Sequence, residues 1–388
     1  MVTRPARREP TGAGAASREG ARARPARPGS AGIARGRPTV GAVTTPTPPP
    51  GSPRGALPRR AVLLGLGGAL LGACTGAPPS GSSSEPGSSS ASGSGRPSGS
   101  AAPSATPSGA ALPSTTVWRP GPGEVRPEIK LRAVELVEAI GAWPPGQQGV
   151  EAARARVSAL GLDPALAEQA AALLGPGTQA ALQVVNAQYG GLLLDSASVM
   201  VVCRQWTAAP GGGTTAGGTT VDVRLRQASP RWNVTSLHPA EPGPPAADLS
   251  TAAQRVLAEP RIQLPPAAVA DVRAGTVHDS VLESMLTLAR SHTFAVTVLS
   301  SGHPLDVFGT TRPSDHPPGR AVDVWQIDGR AVVDPGTPHA LVDDFMREAA
   351  ATGSYNVGGP RRLSGGQAPN QFFSDETHRD HVHVGFRT

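Results

Sequence analysis

The chain has 388 residues with 48 Gly and 42 Pro, so a large share of it cannot bury enough apolar surface to offset the entropy of ordering. Its formal net charge of +6 is localised: residues 1–60 hold 12 Arg against 2 Glu, and the other 328 carry 23 basic against 27 acidic groups. That distribution leaves no basic, aromatic-laced surface in the folded part and excludes nucleic acid as a partner.

In chain order, Arg59 and Arg60 precede an apolar run, residues 61–73, that is too short to span a bilayer but suits the central region of an export signal. Leu71, Gly72, Ala73 and Cys74 resemble a bacterial lipobox. The resemblance implies that residues 1–73 are a leader and lipoprotein signal peptide, and that lipidation at Cys74 anchors the protein on the extracytoplasmic face of the cell membrane. Residues 74–117, rich in Ser, Gly and Pro, predict a disordered tether with a reach on the order of 35 Å. With Cys74 lipidated, only Cys203 remains, so no disulfide framework forms; in SVMVVCRQW it reads as a buried small hydrophobe.

Residues 118–245 predict a small α+β module. From 127 to 188 the period is helical, with Ile129, Ala133, Val134, Leu136, Val137 and Ile140 on one stripe and Asp163 capping before Pro164. Strand-like runs follow at SVMVVCRQW, TTVDVRLRQ and RWNVTSLHP, separated by a Gly/Thr-rich loop at 207–220 and a turn at Ser229 and Pro230. Helices followed by a β-meander resemble cystatin-like or nuclear-transport-factor-like modules. The stretch holds no catalytic cluster, and a support or binding role is expected of it.

Residues 262–388 differ in texture, since eight of the nine histidines fall after residue 277. A helix at 279–291, a strand at 294–301 and a loop lead into SDHPPGRAVDVW; a helix near 338–351 and a closing strand, DHVHVGF, end the chain. Strand periodicity puts Asp323 on the face opposite Val322 and Val324, and His381 and His383 on the face opposite Val382 and Val384. His316 sits in a Pro-Pro-Gly loop free to turn toward that face. His, Asp and His from three segments match a three-protein-ligand zinc site with a fourth position left open.

Ser314, His316, Gly319, Ala321 and Asp323 resemble the SxHxxGxAxD motif of zinc D-Ala-D-Ala carboxypeptidases and dipeptidases. The HVH segment resembles the second motif of the wider group that includes lysostaphin-like and murein endopeptidases. The resemblance implies a hedgehog/DD-peptidase fold, an antiparallel sheet with helices, over 262–388. It further implies Zn2+ on His316, Asp323 and His383, and peptidoglycan stem peptides as substrate. Two departures bear on catalysis. Asp380 stands where carboxypeptidase members carry a Glu base, so Asp380, His381 or His378 is the candidate proton acceptor. SGHP replaces an SGYR-like segment, putting His303, with Ser314, where an arginine would bind substrate. These departures keep open an inactive module that binds wall peptide or a protein on the same fold.

Overall fold

A computed structural model describes residues 111–388; the leader, Cys74 and most of the tether fall outside the described residues. Helix α1 (Pro127–Gly141) starts with proline at its first position and buries Ile129, Ala133, Val134, Leu136, Val137 and Ile140. With α2 (Val150–Ala159) and the short α3 (Leu166–Gln169), it covers an antiparallel meander in the order β1 (Gln179–Leu192), β2 (Ser196–Ala208), β3 (Thr214–Arg226) and β4 (Asn233–Pro239).

Two expectations are corrected here. The helical reading to residue 188 fails because β1 begins at Gln179, and the loop expected at 207–220 shrinks because β2 and β3 continue toward each other. Thr207 pairs with Thr215 and Ala208 with Thr214, so β-branched threonines that read as loop sit in the ladder. Strand β1 is irregular, with register shifts between Val184 and Asn186 and between Tyr189 and Gly191.

The second layer set contains α4 (Thr251–Ala258), β5 (Ile262–Gln263), α5 (Pro266–Ala274), α6 (Asp279–Leu288), β6 (Phe294–Val298), β7 (Ala321–Ile327), β8 (Arg330–Ala331), α7 (His339–Ala351), β9 (Asn356–Gly358), β10 (Phe372–Phe373) and β11 (Val382–Gly385). The sheet runs β10-β9-β11-β7-β6-β5, with β8 paired to β7. Its centre is antiparallel as expected, but the two ends are parallel pairs, β10 with β9 and β5 with β6, making the sheet mixed.

The architecture is α+β with two apolar cores. One is built from α1–α3 and the meander around Leu136, Val199 and Val223; the other lies between the mixed sheet and its helices around Met285, Phe345 and Val384. All described residues nevertheless belong to one compact unit. Among them no helix is long and apolar enough to cross a membrane.

Candidate metal centre

Strand pairing builds the centre. β11 runs antiparallel to β7 with His383 directly opposite Asp323, and both flanking pairs, Val382 with Val324 and Val384 with Val322, face the apolar core. Cross-strand partners lie close enough for their side chains to meet. His316 enters from the loop before β7, and Gly319 makes that entry possible. Its φ of +72° is left-handed, and a Cβ there would meet Thr276 O at 1.9 Å. The turn is closed by Gly319 N donating to His316 O at 2.7 Å and by His278 N donating to Gly319 O at 2.9 Å.

The result is a nearly equilateral triangle of donor atoms. His316 Nε2 lies 3.1 Å from Asp323 Oδ1, His383 Nδ1 lies 3.0 Å from the same oxygen, and the two nitrogens are 3.2 Å apart. Ligands at tetrahedral zinc bond lengths stand about 3.3 Å from one another, so this triangle approximates one face of such a site. His316 Nδ1 donates to Leu299 O at 2.8 Å, which leaves Nε2 as a lone pair facing a carboxylate oxygen. One proton can occupy only one edge of the triangle; a cation in front of it meets all three lone pairs. The donor set therefore fits a divalent metal.

His303 belongs to the same cluster. It offers a ring nitrogen within 4.8 Å of the donor atoms of His316 and Asp323, and that group could hold a metal ion. Its ring stacks on His316 at 4.1 Å and 18°, so the in-plane lone pairs run side by side rather than to one point. Nδ1 of His303 donates to Pro304 O at 2.9 Å and lies 3.4 Å from Ser314 Oγ, which also accepts from His316 N at 3.3 Å. Ser314 is buried and organises the turn between these histidines. Asp271, which sequence reasoning passed over, is buried and accepts from Ser300 N, Ser301 N and Ser301 Oγ at 3.1, 3.0 and 2.6 Å, fixing the start of the His303 loop.

Burial and charge act in opposite directions on the groups of the cluster. Burial pulls His383 down to about 4 and His303 well below the ordinary histidine value. Burial pushes Asp323 up, but His316, His381 and the hydrogen bonds outweigh it and hold the carboxyl well below its usual range. His381 is the reverse case: burial pulls it down, yet Asp323 and the bond to Asp380 keep it above its ordinary value.

The three candidate proton acceptors are placed differently. His381 and His378 line a cleft of about 670 Å³ that reaches His303, His316, Asp323 and His383, whereas Asp380 does not line it. Both Asp380 oxygens are engaged: Oδ1 accepts from His381 Nδ1 at 2.7 Å, and Oδ2 accepts from Lys130 Nζ at 2.6 Å and Tyr189 N at 3.1 Å. A carboxylate held by these three donors is placed to orient His381. His381 Nε2, the other end of the ring, lies 3.6 Å from Asp323 Oδ2. His378 is bonded through Nδ1 to Asp375 Oδ1 at 2.7 Å, and its ring centroid is 4.9 Å from that of His381.

Two further residues come from the meander half, where no role in the site was expected. Lys130 of α1 is fully buried, and Gln188 of β1, also fully buried, donates Nε2 to Asp323 Oδ2 at 2.6 Å. A lone lysine in an apolar stripe signals a buried partner for Lys130; nothing in the sequence marks Gln188. No family model, curated protein or solved structure matches this chain.

Proposed function

We propose that the protein is a zinc-dependent peptidase acting on peptidoglycan stem peptides from a lipid anchor outside the cell membrane. The observation that carries the reading is the triangle of His316 Nε2, Asp323 Oδ1 and His383 Nδ1 with His381 beside it. Zinc held there would supply Lewis-acid polarisation of a scissile carbonyl.

The protein's own groups supply the rest. Asp380 fixes one ring nitrogen of His381, so Nε2 is the atom that takes or returns a proton, the arrangement expected of a general base with an orienting carboxylate. The cleft offers both charge signs at its walls, Arg126 and Arg312 against Asp375 and Glu376, which suits a peptide bearing charged ends or side chains. The resemblance of residues 314–323 and 381–383 to wall peptidases narrows the substrate, and the lipobox places it within reach.

The intact His381–Asp380 pair favours catalysis over a module that only binds wall peptide. The test is digestion of purified muropeptides by the zinc-loaded full chain, with products weighed by mass spectrometry. Cleavage that is lost on chelation and restored by zinc is expected. A zinc-loaded protein that leaves every muropeptide intact overturns the peptidase reading and leaves binding.

A further inference from the structure

Strand β1 is shaped to serve the neighbouring module. Its two register shifts, between Val184 and Asn186 and between Tyr189 and Gly191, bracket the segment 186–189. Bulges bend a strand and re-aim its side chains, and they gather beside active sites. This segment makes three hydrogen bonds to the other layer set: Asn186 Nδ2 to Thr297 Oγ1 at 3.2 Å, Gln188 Nε2 to Asp323 Oδ2 at 2.6 Å, and Tyr189 N to Asp380 Oδ2 at 3.1 Å. Two glycines then let the strand close in. A Cβ on Gly190 would meet Pro304 at 3.0 Å, and one on Gly191 would meet Phe308 at 2.1 Å.

Gln188 is the unusual member. It is completely buried, and its Oε1 has no hydrogen-bond partner while its Nε2 is spent on a single carboxylate oxygen. Burying an unsatisfied amide oxygen is unfavourable, so the placement is not explained by satisfaction of Gln188 itself. What it achieves is to separate the two oxygens of Asp323. Oδ2 is held by Gln188, and Oδ1 alone is left facing His316 and His383.

We infer that Gln188 is a positioning residue of the metal centre, supplied by the meander half of the chain, and that it sets Asp323 to offer one oxygen to the ion. The inference rests on the metal reading of the His316, Asp323 and His383 cluster but not on which bond is cleaved. Residues that orient ligands from behind are worth about 10–100-fold in metal affinity.

The experiment measures zinc affinity of the full chain by competition with a chelating indicator, together with the visible spectrum of the cobalt-substituted protein and the melting temperature of the metal-free protein. Gln188→Met keeps the side chain's length and removes only the amide. It should bind zinc about 10–100-fold more weakly, with a shifted cobalt spectrum. Asn186→Val removes an interface hydrogen bond that involves none of the three donor residues and should lower the melting temperature with zinc affinity unchanged. Parental zinc affinity in Gln188→Met overturns the inference, as does an equal loss in both variants, which would make Gln188 simple interface packing. A parent that binds zinc and cleaves nothing removes the peptidase reading and leaves this one standing; a parent that binds no zinc removes both.

Discussion

Lys130, the only lysine of the chain, is completely buried with its Nζ 2.6 Å from Oδ2 of Asp380, 250 residues away. The ammonium also bonds Glu124, so one cation answers two carboxylates across the junction of the two cores. Burial alone would push Asp380 up; Lys130 and the bond to His381 draw it down to about 2. A buried pair of this kind contributes little net stability, yet removing one partner strands the other charge. Lys130→Met should therefore cost about 3–5 kcal/mol in urea denaturation, and the double variant Lys130→Met with Asp380→Asn should cost less than the sum of the two single losses. An additive double variant would show that the pair is not coupled.

His383 lies within β11 and His381 immediately before it, and the two differ in task. His383→Ala removes one corner of the donor triangle, so metal and any hydrolysis should be lost together. His381→Ala should keep zinc, by metal analysis, and lower hydrolysis by roughly 100-fold or more. Loss of zinc in His381→Ala would move that residue into the ligand set.

Gly319 holds the loop that delivers His316. Gly319→Ala places a Cβ 1.9 Å from Thr276 O in a residue with φ of +72°, so the turn must move. The left-handed conformation alone costs about 1–2 kcal/mol for a residue with a side chain, and the clash adds to it. A fall in melting temperature with weakened zinc binding is expected, read by calorimetry and chelator competition. Unchanged values in both would mean the loop is free to relax without His316.

The readability of these residues from the sequence depended on distance along the chain. Asp323 and His383 each sit on the polar side of an alternating strand, and antiparallel pairing sets them face to face. Local periodicity therefore located two corners of the triangle, whereas His316, in a loop, carries no such signal and entered through the motif resemblance. It failed for β1, where the Ala- and Gln-rich run QAALQVVNAQ reads as helix and the bulges break the alternation that would mark a strand. With β1 misread, Gln188 had no visible route to Asp323, 135 residues away. The surroundings of Asp380 were hidden for a related reason: its neighbour His381 is local, but Lys130 and the Tyr189 amide that occupy its second oxygen are not.

The proposed lipid anchor is tested apart from the metal. Cys74 lies outside the described residues, and the expectation rests on the resemblance of Leu71 to Cys74 to a lipobox and on the apolar run before it. Cys74→Ala expressed in a lipoprotein-processing bacterium should leave the membrane fraction or persist as precursor, by fractionation and intact mass. Processing and membrane partition equal to the parent would contradict the anchor.

The most direct measurement is anomalous diffraction at the zinc absorption edge from crystals of the zinc-loaded protein. The account predicts one strong peak about 2.0–2.2 Å from each of His316 Nε2, Asp323 Oδ1 and His383 Nδ1. No peak at that triangle, or a peak held by other residues, would contradict it.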